Sequence, residues 1–237
     1  FIIFAITGTT IVYSGRSSNF DYVLAIDASS SMAAKDFDPN RLVAAKIAAI
    51  EFIDSLSSKS KIGLVSFTGT SFVEQDMTDE LSKVKTAIRD MDLKSLGGTD
   101  MGGAIVTSTN MLLSSNLARV IILLTDGQSN TGIPIEEAIK YANENNVLIY
   151  TIGIATEEGG VLPGLEEALL KLDEDTLKFI AESTDGQYFK AADEESLREV
   201  YSRISSYNIG RISTNLSLLF MLSAFILLFI EWLLSNT

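Results

Sequence analysis

Apolar and polar positions along the chain fall into short, nearly continuous apolar runs separated by stretches of helical period. "DYVLAI" (21–26) is such a run, of the kind found in a central parallel strand covered on both faces. "NRLVAAKIAAIEFIDSL" (40–56) carries Leu42, Ile47, Ile50, Ile53 and Leu56 near helical spacing, and Asp38-Pro39 is a suitable start for that helix. "KIGLVSF" (61–67) and "SFVEQDM" (71–77) read as strands separated by "TGT", which suits a tight hairpin. Helices are predicted at 79–90, at 102–114 after "LGGTDMGG", at 135–145, at 175–184 and at 194–206. "RVIILLT" (119–125) and "VLIYTIGI" (147–154) read as further strands, and "GQYFKA" (186–191) as an edge strand. The weak pattern over 156–172 predicts a loop with a helical turn.

Strands alternating with helices imply an α/β domain over residues 20–206. Its expected form is Rossmann-like and doubly wound, with a mostly parallel sheet flanked by helices on both faces. The two ends differ in kind. "LSLLFMLSAFILLFIEWLL" (216–234) contains a single charge, Glu231, near its far end. At 1.5 Å per residue a helix of this length spans roughly 28 Å, about the thickness of a bilayer core, which predicts a transmembrane helix. Trp232 and Glu231 would then sit at an interface. The apolar start "FIIFAI" (1–6) reads as the last turns of a second, truncated span ending by about residue 13. Residues 207–215 read as a short juxtamembrane linker. The chain begins at Phe1 rather than Met, as a fragment or processed form would.

Composition narrows the chemistry. The 237 residues include no Cys and no His. This removes disulfides, thiolate and imidazole metal ligands, and every Ser-His-Asp triad. Any metal must be a hard, oxygen-liganded divalent cation, Mg²⁺ first and Mn²⁺ or Ca²⁺ as possibilities. A net charge of −13, with no Lys/Arg stripe interleaved with aromatics, argues against a nucleic-acid partner. "LGGTDMGG" lacks the Lys-Ser/Thr pair of a phosphate-binding loop.

In an open parallel sheet, ligands sit outside the carboxyl ends of the strands, near the point where strand order reverses. Three polar clusters are expected at that edge. Asp27, Ser29 and Ser31 follow the first strand of the domain, Thr99 and Asp100 lie in a Gly-rich loop before a helix, and Asp126 closes "RVIILLT". Taken singly, each has a structural explanation as a turn or a helix cap. Taken together they assemble hydroxyl and carboxylate oxygens suited to a hard cation. A cation not fully neutralised by such a set stays attractive to an acidic group from outside.

The D-x-S-x-S pattern of Asp27, Ser29 and Ser31, with Thr99 and the strand-end Asp126, resembles the metal-ion-dependent adhesion site (MIDAS) of von Willebrand factor A domains. The resemblance covers roughly residues 20–206. It implies direct coordination by Ser29, Ser31 and, in the ligand-competent form, Thr99, with Asp27 and Asp126 contacting the metal mainly through water. A Glu or Asp from a protein partner would complete the shell. Closer likeness is to membrane-anchored proteins of the BatA (aerotolerance) type, carried by "SMAAKDFDPNRLVAAK" (31–46), "VIILLTDGQSNTG" (120–132), "KLDEDTLKFIAESTDGQYFKA" (171–191) and the C-terminal apolar segment. It implies a place at the cell membrane with the domain on the extracytoplasmic side. It also implies work with a MoxR-type AAA+ ATPase and other such membrane proteins in maturation or stress tolerance. The chain departs from the family in reading Ser29-Ser30-Ser31 where "SGS" is common, and in a stretch 156–170 shorter than the usual hairpin.

The leading expectation is therefore a non-enzymatic, metal-dependent protein-binding module fixed to a lipid bilayer. The alternatives are a Mg²⁺-dependent phosphoryl hydrolase using Asp27 as nucleophile, and a structural membrane scaffold whose metal site is silent.

Overall fold

The computed structural model describes residues 10–16, 20–56, 60–126, 129–156, 160–162, 165–170, 172–206 and 209–235. Its elements in chain order are β1 (Thr10–Arg16), β2 (Phe20–Asp27), a 3₁₀ turn (Ser30–Ala33), α1 (Arg41–Ser55), β3 (Ile62–Phe67), β4 (Ser71–Thr78), α2 (Leu81–Asp90), α3 (Met101–Leu112) and β5 (Ala118–Thr125). They continue with α4 (Ile135–Glu144), β6 (Val147–Ile154), β7 (Gly160–Leu162), β8 (Leu165–Leu170), α5 (Glu174–Ser183), β9 (Tyr188–Ala191), α6 (Glu194–Ser206), β10 (Ile209–Asn215) and α7 (Ser217–Ser235). The chain divides into two units, Arg16–Gly210 and the pair of end segments Phe1–Gly15 with Arg211–Thr237.

Within Arg16–Gly210, six strands form a sheet in the order β4-β3-β2-β5-β6-β9. All neighbours are parallel except β3 and β4, the hairpin built on "TGT". Every residue of β2, β3 and β6 is buried, as strands sandwiched between two helical layers must be. Alternation along β2 feeds two cores. Tyr22, Leu24 and Ile26 join Phe52, Val84, Ile88 and Tyr201 on one face. Val23 and Ala25 join Met101, Ile105, Ala138 and Leu177 on the other. The Phe52 ring bridges Tyr22 and Tyr201, at centroid distances of 5.3 and 5.2 Å, and so ties α1 and α6 to the sheet. This is the doubly wound arrangement expected from the sequence. Strand order runs outward from β2 through β3 and then resumes on its other side with β5, so the switch point lies between the ends of β2 and β5.

Local differences have physical causes. Helix α1 begins two residues after Pro39, because the Asn40 side chain accepts a hydrogen bond from the Val43 amide at 2.9 Å and supplies the cap. The stretch expected as a loop with a helical turn contains an antiparallel pair, β7 with β8. Its apolar residues, Val161, Leu162, Leu165, Leu169 and Leu170, flank the turn-forming pair Pro163-Gly164 in sequence, a hairpin signal that the weak periodicity conceals.

The end segments form a two-stranded sheet of β1 with β10, so most of the expected linker at 207–215 is a strand. The apolar start at 1–6 lies outside the described residues, as does all of 1–9, and Thr10–Tyr13 belong to β1. The segment expected to span a membrane at 216–234 is helical, as α7, with Leu218, Phe225, Phe229 and Leu234 exposed. Among the described residues, which leave out the side chains of Leu219 and Ile230, no helix is long and apolar enough to cross a membrane.

Candidate metal centre

The site is built where β2 and β5 end side by side, Ile26 standing opposite Leu124 in the parallel register. Asp27 terminates β2 and is fully buried. One carboxylate oxygen accepts the Ser29 amide at 2.8 Å and the other accepts the Thr125 hydroxyl at 2.6 Å. The first bond folds the chain back immediately after the strand and brings Ser29 and Ser31 over the strand end. Ser29 occupies the cap position of the 3₁₀ turn, yet its side chain makes no cap bond. Its Oγ lies 2.9 Å from the Oγ of Ser31 instead. Capping does not account for these hydroxyls.

Asp126 follows β5 and is also buried. Burial and the neighbouring Asp126 charge together push the Asp27 pKa up to about 6, against the pull of the Ser29 and Thr125 donors. Two carboxylates held out of water beside each other, under two hydroxyls, form a site that favours a cation.

Thr99 is placed by its backbone. Its amide donates to Asn130 Oδ1 at 2.9 Å, and its carbonyl accepts the Asn130 amide and the Ser129 hydroxyl, both at 3.2 Å. Since Ser129 and Asn130 follow shortly after Asp126, these bonds fasten the Thr99 loop to the Asp126 loop. The Lys94 amide donates to the Ala28 carbonyl at 2.8 Å, which joins the same long loop to the Asp27 segment. All three predicted clusters are therefore tied together at one edge of the sheet. Asp27, Ser29 and Ser31 meet directly, whereas among the described residues no hydrogen bond joins the Thr99 side chain to either serine.

Asp100 has a different task. It caps α3, accepting the Gly103 amide at 2.7 Å and the Ile133 amide at 3.0 Å through one oxygen. The packing leaves no room for a side chain at Gly132, whose φ is +85° and whose Cβ would collide with the Asp100 carboxyl group.

Sequence reasoning passed over Arg41. This first residue of α1 is the largest fully buried side chain of the described residues. Its Nε and Nη2 donate to the two oxygens of Asp36 at 2.8 and 2.7 Å, and its Nη1 donates to Asp126 Oδ2 at 3.4 Å. Asp36 is itself held by the Thr156 amide at 3.2 Å. The signal was available, because a basic residue in the first turn opposes the helix dipole and calls for a specific anionic partner.

The donor set fits a hard cation: three hydroxyls, from Ser29, Ser31 and Thr99, and two carboxylates, with no nitrogen or sulfur donor. Among the described residues no three carboxylates cluster as a metal cage, so any ion held here would depend on the hydroxyls.

The von Willebrand factor type A domain model matches residues 21–203. The chain belongs to the von Willebrand factor type A (VWA) domain family. A UPF0353 protein from Mycobacterium sp. (strain KMS) is 32% identical over 198 residues, covering 77% of this chain and 58% of that protein. The chain thus spans just over half the length of this relative. BatB, a conserved hypothetical protein from Bacteroides thetaiotaomicron, is 27% identical with a TM-score of 0.70, covering 78% of this chain and 97% of that structure. An aerotolerance-related membrane protein from Bacteroides fragilis NCTC 9343 shares the fold at 22% identity and a TM-score of 0.70, covering 78% and 98%. So does proximal thread matrix protein 1 from the mussel byssus, solved with zinc in its MIDAS motif, at 17% identity and a TM-score of 0.62, covering 81% and 48%.

Proposed function

We propose that this VWA chain is a membrane-anchored, non-enzymatic binding module that recognises an acidic group on a partner protein through a divalent cation. The cation is Mg²⁺, with Mn²⁺ or Ca²⁺ as substitutes, held by Ser29, Ser31 and Thr99 and, through water, by Asp27 and Asp126. When bound, it supplies an electrophilic centre for a carboxylate from outside. The chain's own residues do the rest. Asp27 fixes the serine turn through the Ser29 amide, Thr125 orients Asp27, and the Asn130 clasp sets the Thr99 loop. The observation that carries the reading is the buried Asp27 carboxylate beside Asp126, beneath two serine hydroxyls that cap nothing.

The apolar segment 216–234 is the anchor, and the domain lies on the extracytoplasmic face of the cell membrane. Likeness in fold to an aerotolerance-related membrane protein is in keeping with a membrane setting, and the choice of side rests on the BatA-type resemblance alone. The resemblance to BatA-type proteins adds a MoxR-type AAA+ ATPase and sister VWA proteins as partners in maturation or stress tolerance. Phosphoryl hydrolysis by Asp27 has less support, since both its oxygens already accept hydrogen bonds within the fold.

Water-proton relaxation of Mn²⁺ tests the reading. The protein should enhance relaxation on binding Mn²⁺, and a glutamate-rich peptide should reduce that enhancement by displacing bound water, whereas its glutamine counterpart should not. Equal responses to both peptides would remove the acidic-ligand function.

A further inference from the structure

Two aspartates carry enough charge to cancel a divalent ion, and a cancelled ion has little attraction for a further carboxylate. The geometry points to Arg41 as the residue that prevents this cancellation: we propose that its buried guanidinium draws charge from Asp126 and so sets how strongly the bound metal takes an acidic ligand. This rests on the metal-dependent reading above and assigns it a specificity-determining residue outside the ligand set.

Three observations support the assignment. Arg41 is completely buried, and a buried guanidinium is retained only where anions meet it. It divides its donors between two carboxylates. Asp36 takes the Nε and Nη2 edge in a bidentate pair, and Nη1 is left to reach Asp126 Oδ2 at 3.4 Å. The pair is also braced from outside, since Asp36 accepts from the Thr156 amide and hydroxyl at 3.2 and 3.4 Å. An arginine guanidinium is a planar, delocalised cation with donors on more than one edge. It is therefore a fixed positive charge against one of the two metal-site carboxylates, while Asp36 moderates its strength from the opposite edge.

Substitution of the two partners has opposite effects, which pure structural damage cannot reproduce. Arg41→Gln removes the fixed charge. The site becomes more negative, Mn²⁺ binds more tightly, and the loaded site binds a glutamate-rich peptide more weakly. Asp36→Asn releases Arg41 toward Asp126, so Mn²⁺ binds more weakly and the peptide binds the loaded site more tightly. An opposite charge at this range shifts a carboxylate's equilibrium by about tenfold or more, so changes of about that size are expected. Arg41→Lys, which keeps the charge, should resemble the parent more than Arg41→Gln does.

The experiment measures Mn²⁺ affinity of the full chain by electron paramagnetic resonance, and peptide affinity at saturating Mn²⁺, with circular dichroism of each variant as the check on folding. Opposite movement of the two affinities, reversed in sign between the two variants, supports the proposal. If both affinities fall together in both variants, Arg41 is a structural strut and the proposal is overturned while the metal-binding reading stands. If the parent binds no Mn²⁺, both fall. Should Arg41→Gln not fold, Asp36→Asn alone decides, because only electrostatic control makes its loaded site bind the peptide more tightly.

Discussion

Asp27 is held in a position an isolated carboxylate would resist. Burial and the Asp126 charge raise its pKa from the ordinary 3.8 to about 6, although Ser29 and Thr125 donate to it. In metal-free protein the folded chain therefore binds this proton more tightly than the unfolded chain does. Below about pH 4 both states are protonated and nothing is lost. As pH rises from about 4 through about 6 the folded state must ionise Asp27 at a cost, and stability falls by an amount on the order of 3 kcal/mol. Asp36 and Glu74 act in the other direction, since Arg41 in one case, and Ser66 with Lys94 in the other, hold their carboxyls below the usual range in spite of burial. Comparison with Asp27→Asn isolates the effect. In chelator, urea unfolding should show the parent losing stability relative to Asp27→Asn between pH 4 and 7, and excess Mg²⁺ should abolish that loss. A constant difference across this range would mean that neither burial nor the Asp126 charge raises the Asp27 pKa. The same scale explains why Arg41 escaped the sequence reading. Its role depends on Asp126, 85 positions away, and on Asp36, neither of which a helix-period pattern can identify.

Among the elements, those with strong local patterns were legible in advance. Strand β6 and helix α6 fall on the residues the sequence marks, 147–154 and 194–206, because one is a run rich in β-branched residues and the other a clear amphipathic period. Less legible were β7 and β8, whose apolar residues follow neither period, and β10, where "IGRISTN" mixes strand-forming residues with Gly and Asn. The start of α1 was set by an Asn40 side chain rather than by the Asp-Pro pair beside it. Helix α7 is the element on which the membrane reading depends. If it anchors the chain, the protein should stay with the bilayer through alkaline carbonate extraction, and removal of 216–234 should release it. Release of the intact chain by carbonate would mean that α7 only rests on a surface or packs against protein.

For the molecule as a whole, the position of the site follows from topology. In a parallel sheet that builds outward from β2 in both directions, the ends of β2 and β5 mark the switch point outside which ligands sit. The gathering of the predicted residues at one sheet edge was legible for that reason: Asp27 ends β2 and Asp126 follows β5, strands that alternation with helices would align, Ser29 and Ser31 come just after Asp27, and Thr99 lies in the Gly-rich loop before α3. Its internal wiring was not, since the Asn130 clasp on Thr99 and the Asp100 link to Ile133 join loops some 30 residues apart. The central claim is that these loops together hold a divalent cation. It is tested most directly by thermal unfolding of the chain with Mg²⁺, Mn²⁺ or chelator, beside Asp27→Ala. Metal at about 100 times its dissociation constant should add roughly 2.7 kcal/mol, which for a domain of this size raises Tm by about 5–10 °C. That shift is expected in the parent and should be lost in Asp27→Ala; the same Tm with metal and with chelator in the parent would mean that these loops hold no cation.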